Sequence, residues 1–319
     1  MRRPVPVTVA MGIGLTLLAF CTACTSSASD PPNSPANPPA VTAIPSAATV
    51  IGLVLPLSSY ELTGAQELFV NNATRTLVNQ CMRRYGFAQF SLGTGATKSG
   101  HPDQMGRRYG AVSDATTAAT YGYHLTPDQG AGLSRPSTRP TAPFSQAETA
   151  VLTGTSGEGP APPNQPQVGT TYNGQAVPPG GCFGEANRAI GFDDRVDGLL
   201  PQRLAFTAYS QSRNDSRTKE VITAWSACMK DKGYHIADPI SAVSVVNLNG
   251  PVTPAEIQQA VTDVACKQTV GLIGVWFAVE SAYQRRLIEQ NSQQLDAVRK
   301  LLDDKLRNAA RTLGQAAPR

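Results

Sequence analysis

CMRRYGF, residues 81–87, returns as CMKDKGY, residues 228–234. Cysteine, methionine, a basic residue, glycine and an aromatic recur at the same offsets. The residues leading into each copy repeat at three and four, the period of one helical face. In the first copy that face is Ala65, Leu68, Phe69, Ala73, Thr76, Leu77, Cys81 and Arg84. In the second it is Val221, Ile222, Trp225, Cys228, Met229 and Lys232. Gly86 and Gly233 then stop the helix, because glycine enters the left-handed region without a steric penalty. Each copy thus reads as the last turn of an amphipathic helix, with its thiol on the apolar side and its methionine as core filler. The expected fold class follows: mainly α, a disulfide-stapled helical domain with long irregular connections.

The N-terminus sets the compartment. Arg2 and Arg3 precede an apolar stretch from about Val7 to Phe20. That is shorter than the ~20 residues a spanning helix needs, so it reads as a secretory signal over residues 1–23. It ends in Phe20-Cys21-Thr22-Ala23-Cys24, which resembles a bacterial lipobox. Ala23 before Cys24 marks Cys24 as the lipidated residue. Cys21 stands where a lipobox usually carries leucine. The alternative is plain secretion, with cleavage after Ala28. Residues 24–49 are then the lipid anchor and a Ser/Pro/Ala tether. With one charge, Asp30, and few large apolar residues, that stretch lacks the surface needed to offset the entropy of ordering. The extracytoplasmic domain is expected to fill residues 50–319.

Four cysteines remain once Cys24 is acylated: Cys81, Cys182, Cys228 and Cys266. An even count in an oxidising compartment implies two disulfides with three possible connectivities. The repeat suggests one of them. Each half would be a helix ending in the motif, a connection, then a cysteine on the next helix, which pairs Cys81 with Cys182 and Cys228 with Cys266. A four-thiolate metal site and a redox-active thiol both lack the usual Cys-x-x-Cys pair.

Between the motifs, residues 88–124 read as irregular with short helical pieces. Residues 125–180 hold 10 Pro and 8 Gly, the composition of a partly disordered insert. Inside it, Ser145 and Glu148 have capping-box spacing before an apolar run. Short helices are expected from Cys182 and over 199–209. Thr253-Pro254-Ala255-Glu256 is a strong helix start. From about Ile273 to Leu313 one long C-terminal helix is expected, with Ile288, Leu295, Leu302 and Ala309 every seven residues and Asp296–Lys300 and Asp303–Arg307 as ion pairs. Its apolar stripe needs a cover: the first helix of the same chain, a protein partner, or a second copy.

The order of these features resembles that of a group of uncharacterised secreted or lipid-anchored proteins of actinobacteria, such as streptomycetes. The shared elements are the lipobox, the Ser/Pro tether, the two Cys-Met motifs, Tyr121-Gly-Tyr-His124, Gly180-Gly-Cys182-x-Gly-Glu-Ala186, Cys266-Lys-x-x-x-Gly-Leu272 and the closing charged helix. The resemblance spans about residues 50–124 and 171–313 and implies no activity, cofactor or metal.

Chemistry-bearing patterns are sparse. His101, His124 and His235 do not form a His-Glu-x-x-His pair, and neither a Gly-x-Ser-x-Gly elbow nor a phosphate-binding loop occurs. Asp193-Asp194-x-x-Asp197-Gly198 has the wrong spacing for a calcium loop and reads as a solvated turn. No catalytic residues, cofactor or metal are assigned. The formal charge of +4 includes Arg2 and Arg3, so the mature chain is near neutral and carries no footprint for nucleic acid. Tyr109, Tyr121, Tyr123 and His124 form a candidate aromatic ligand patch. Two function classes follow: a noncatalytic, membrane-anchored binding or interaction lipoprotein, and, as the alternative, an extracytoplasmic enzyme acting on cell-wall material.

Overall fold

The computed structural model describes residues 37–93, 105–127, 129, 144–155 and 171–318. The signal segment, Cys24 and residues 94–104, 130–143 and 156–170 lie outside them. Mainly helical, the described chain holds nine α-helices. They are α1 (Gly64–Arg84), α2 (Ala115–Tyr121), α3 (Gln146–Thr153), α4 (Gly181–Ile190), α5 (Leu200–Asn214), α6 (Ser216–Asp231), α7 (Pro254–Val270), α8 (Leu272–Gln290) and α9 (Ser292–Leu313). Two short strands, Thr171–Tyr172 and Gln175–Ala176, form a hairpin about the Asn173-Gly174 turn. Among the described residues, no helix is long and apolar enough to cross a membrane.

The repeated motif has one geometry. Gly86 and Gly233 take φ of +92° and +90°, and neither would bring a Cβ within 4 Å of another group. Glycine is therefore required there by backbone conformation alone. The Phe87 amide donates to the Met82 carbonyl (3.2 Å), and the Gly86 amide to the Arg83 carbonyl (3.0 Å). In the second copy, Tyr234 donates to Met229 (2.9 Å) and Gly233 to Lys230 (2.9 Å). Both are Schellman ends, which characteristically bring the residue after the glycine against the one five positions earlier. That explains the aromatic and the methionine: Met82 and Met229 are fully buried, and Phe87 and Tyr234 pack on the same cores. The cysteine comes immediately before the methionine. Disulfides join Cys81 to Cys182 and Cys228 to Cys266, with Cα separations of 5.6 and 5.7 Å. Paired cysteines of this kind belong to an oxidising, extracytoplasmic compartment.

Two cores result. The smaller joins α1, α3, α4 and the hairpin around Val78, Met82, Phe90, Val151, Leu152 and Val177. The larger joins α2, α6, α7 and α8 around Trp225, Met229, Val264, Leu272, Ile273 and Trp276. They are not successive halves of the chain, as the repeat suggested. Tyr109, Val112, Ala118 and Tyr123 lie within the loop closed by Cys81–Cys182, yet they pack in the larger core. The apolar side chains of that stretch fit beneath α7 and α8, while α1 is covered from elsewhere.

Three further expectations change. The stretch 24–49 is not free throughout: the Pro39 carbonyl accepts from Arg217 (3.0 Å), Ala47 packs on the larger core, and a Cβ at Gly274 would collide with the Pro45 carbonyl. Few apolar side chains are needed, because these contacts run through the backbone. Within the insert 125–180, the described stretches 144–155 and 171–180 are packed into the fold. Ser145 and Glu148 form their capping box, and Val151, Leu152 and Val177 are buried. Finally, the long C-terminal helix is divided at Asn291, whose side-chain amide bonds back to the Leu287 carbonyl (2.8 Å). Beyond the break, α9 lies along α1 and α4, with Ala309 among Phe69, Val70, Ala73 and Ile190. Leu295 packs with Leu57 and Tyr60. The stripe is thus covered within the chain, by its own first helix among others. On the solvent side, Lys300 and Arg307 both pair with Asp304 rather than with Asp296 and Asp303.

Candidate functional site

Three sets of buried or half-buried ionisable side chains surround residues 105–124, the segment that held the expected aromatic patch. The segment is mostly irregular and much of it is buried. Buried irregular backbone leaves amides and carbonyls that no regular ladder satisfies. Side chains from the helices supply the partners.

Lys267, on α7, is fully buried and donates to the Val112 carbonyl (2.6 Å) and to Asp263 Oδ2 (3.0 Å). Gly110 lies against its ammonium with φ +124°, and a Cβ there would strike Lys267 Nζ. Asp263, one turn earlier, accepts from Trp225 Nε1 through Oδ1 (2.9 Å). The Tyr123 hydroxyl accepts from Gln259 Nε2 beside this pair (3.5 Å). Burial pushes the Lys267 ammonium below its usual range, and the charge of Asp263 opposes this. Burial likewise raises the Asp263 carboxyl, against Lys267 and its hydrogen-bond donors.

Glu280, on α8, centres the second cluster. Its carboxylate accepts from Arg108 Nε (2.9 Å), Tyr109 Oη (2.9 Å) and Gln284 Nε2 (3.0 Å), and Arg108 Nη2 forms a close ion pair with it. Burial raises the Tyr109 hydroxyl well above its usual value, with Glu280 adding to the shift. Gln284 passes the connection onward by accepting from the Leu57 amide (2.9 Å).

The third cluster clamps one residue from both sides. Glu256 Oε1 accepts from the Tyr123 amide (2.9 Å), while Arg107 donates twice to the Tyr123 carbonyl (3.1 and 3.0 Å). His124 Nε2 lies 3.4 Å from Glu256 Oε2. Thr253 caps α7 at the Glu256 amide as the sequence suggests, but the Glu256 side chain leaves the cap to hold Tyr123.

The expected ligand patch is therefore corrected. Tyr109 and Tyr123 are 1% and 0% exposed; the first packs on Trp276 and the second on the α7 side of the core. Both belong to the larger core. Tyr121 is half-buried and His124 is 17% exposed at its side chain, so neither makes an open aromatic platform. Sequence reasoning missed Glu256, Asp263, Lys267 and Glu280 as site residues. The one local signal was the spacing of four between Asp263 and Lys267, which on most helices marks a solvated pair.

No family model, curated protein or solved structure matches this chain. What the arrangement can do chemically must be read from its own geometry. Lys267, Asp263 and Glu280 have completely buried side chains, Arg108 is nearly so, and all direct their polar atoms at backbone and side chains of the same fold. That is the arrangement of internal ties. At the surface, Asp193 pairs with Arg195, which holds its carboxyl down at about 2, and Asp197 pairs with Arg203. Among the described residues, no group of three or more His, Cys, Asp or Glu side chains could hold a metal ion.

Proposed function

We propose that this chain is an extracytoplasmic lipoprotein, acylated at Cys24 and held on the outer face of the cell membrane, where it acts by binding rather than by catalysis. The carrying observation is the disulfide-stapled body that follows directly on a lipobox-like leader. Two cross-links suit export, and the buried charged residues of the larger core serve its own backbone rather than a cleft. The resemblance to secreted or lipid-anchored actinobacterial proteins agrees with this reading. Such a body offers a rigid surface to a partner on or near the membrane.

Membrane fractionation of cells carrying Cys24→Ser tests the anchor. The variant is expected in the medium or as uncleaved precursor, and mass analysis of the native N-terminal peptide should show the acyl chains. Acylation and membrane partition that survive Cys24→Ser would overturn the assignment. Crosslinking and pull-down from intact cells tests the binding role, with one recurrent protein or cell-wall component as the expected catch.

A further inference from the structure

Residues 38–60 contain no Asp, Glu, Lys or Arg. Within this stretch Val50, Leu55 and Leu57 are buried and Leu53 packs on the larger core. Ile44, Ile51 and Val54 face solvent at 58%, 73% and 72% exposure. Ile51 stands at the tip of a tight turn. The Leu53 amide donates to the Val50 carbonyl (3.1 Å), and Gly52 takes φ +79°, as a type II turn requires at its third residue. β-Branched side chains so exposed leave apolar surface in water that burial elsewhere would remove.

We infer that this turn and its flanks, Ile44, Ile51 and Val54, dock on the lipid surface that carries the anchor. The inference rests on acylation at Cys24. Three observations select a bilayer as the occupant. First, Cys24 is 14 residues from Pro38, so covalent geometry keeps Pro38 within about 50 Å of an acylated Cys24. Second, the Pro39 carbonyl is fastened to Arg217, and the exposed aliphatics follow it along the chain by 5 to 15 residues, so they come soon after the anchor in sequence. Third, the stretch presents no carboxylate to an anionic headgroup, and the exposed set lacks the aromatic and arginine anchors on which protein partners concentrate binding. Aliphatic side chains at such a tip would enter the headgroup and acyl boundary, at a depth of about 5–10 Å.

The test uses the full chain carrying Ile51→Trp, isolated with its acyl chains and reconstituted in phosphatidylglycerol/phosphatidylethanolamine vesicles with or without brominated acyl chains. Bromine quenches only indoles that touch lipid. Trp225 and Trp276, both fully buried, supply a constant background. Loss of the added emission is expected with brominated lipid, and adding Val54→Asp should restore it. Asn187→Trp, on the exposed face of α4, should stay unquenched. An acylated chain whose Ile51→Trp emission is unquenched overturns the docking surface and leaves the anchor standing. So does a photocrosslinker at position 51 that captures a protein instead of lipid. An unacylated chain that is still quenched sinks the anchor and keeps the surface, while an unacylated, unquenched chain removes both.

Discussion

The two disulfides staple cores of different character. Around Cys81–Cys182 the buried contacts are almost wholly apolar: Val78, Met82, Phe90, Val151, Leu152 and Ala186. Around Cys228–Cys266 a larger apolar core encloses the Lys267–Asp263 pair and borders the carboxylates of Glu256 and Glu280. The difference follows from what each must hold. The smaller core joins helices and a hairpin, and the irregular stretch after Gly86 that borders it is met by the neutral side chain of Asn79 and by half-buried Arg75. The larger one admits an irregular segment, 105–124, whose amides and carbonyls need partners. A charged group accepted into that core is stabilised by several hydrogen bonds at once, and removing one member strands the rest.

Ending the chain after Asn291 should separate the two cores most sharply. It removes Leu295, Val298 and Leu301, each nearly fully buried. At about 1.5–3 kcal/mol apiece, the loss is roughly 5–9 kcal/mol, comparable with the stability of a domain. Because α9 covers α1 and α4, the expected outcome is early exchange of amides in α1, α3 and α4, with α6 and α7 still protected. Hydrogen exchange with mass spectrometry reads this directly. Uniform protection in both cores would show that α9 is not the cover.

Replacing each cysteine pair by alanine ranks next. Closing loops of 101 and 38 residues is worth about 4.7 and 3.9 kcal/mol in the chain-entropy model. Urea melts should show the larger loss for Cys81→Ala/Cys182→Ala. The reverse order would mean that the polar core depends on its cross-link for more than chain entropy.

Lys267→Met probes the polar core alone. It leaves Asp263 buried and uncompensated, at a cost of about 3–5 kcal/mol. Asp263→Asn/Lys267→Met should recover part of that loss. If the single variant costs no more than a surface change, the pair is not the tie described above.

The smallest effect should be equal in the two cores. Gly86→Ala and Gly233→Ala force alanine to a positive φ with no new contact, for about 1–2 kcal/mol each. Matching shifts in thermal melting, within error, would confirm that the repeated motif is a helix end and nothing more. A much larger loss at one copy would give that copy a further role.

Much of this was written locally. The two motifs named their helix ends, because a Schellman end needs only glycine and an apolar residue at fixed offsets. Thr253 and Ser145 named their helix starts for a similar reason. The leader and the even number of remaining cysteines argued for export, and the repeat picked the pairing that the fold adopts. Residues 38–49 were less legible. Their composition resembles a free tether, and they are held instead by the Pro39 and Pro45 carbonyls, which composition does not report.

Most helices, most of their ends and the number of cross-links were legible in the sequence, because each depends on residues within a turn or on a count. Only the tertiary structure decided that Tyr109 and Tyr123 belong to the core, that α9 closes back on α1, and that Asp263 and Lys267 are enclosed rather than solvated. The physical reason is that a charge or an aromatic ring has no fixed meaning at a given spacing. An acid and a lysine four apart on a helix are a weak surface pair in water. Covered by the backbone of residues 110–112, the same two groups become a tie between elements that are 155 residues apart in sequence.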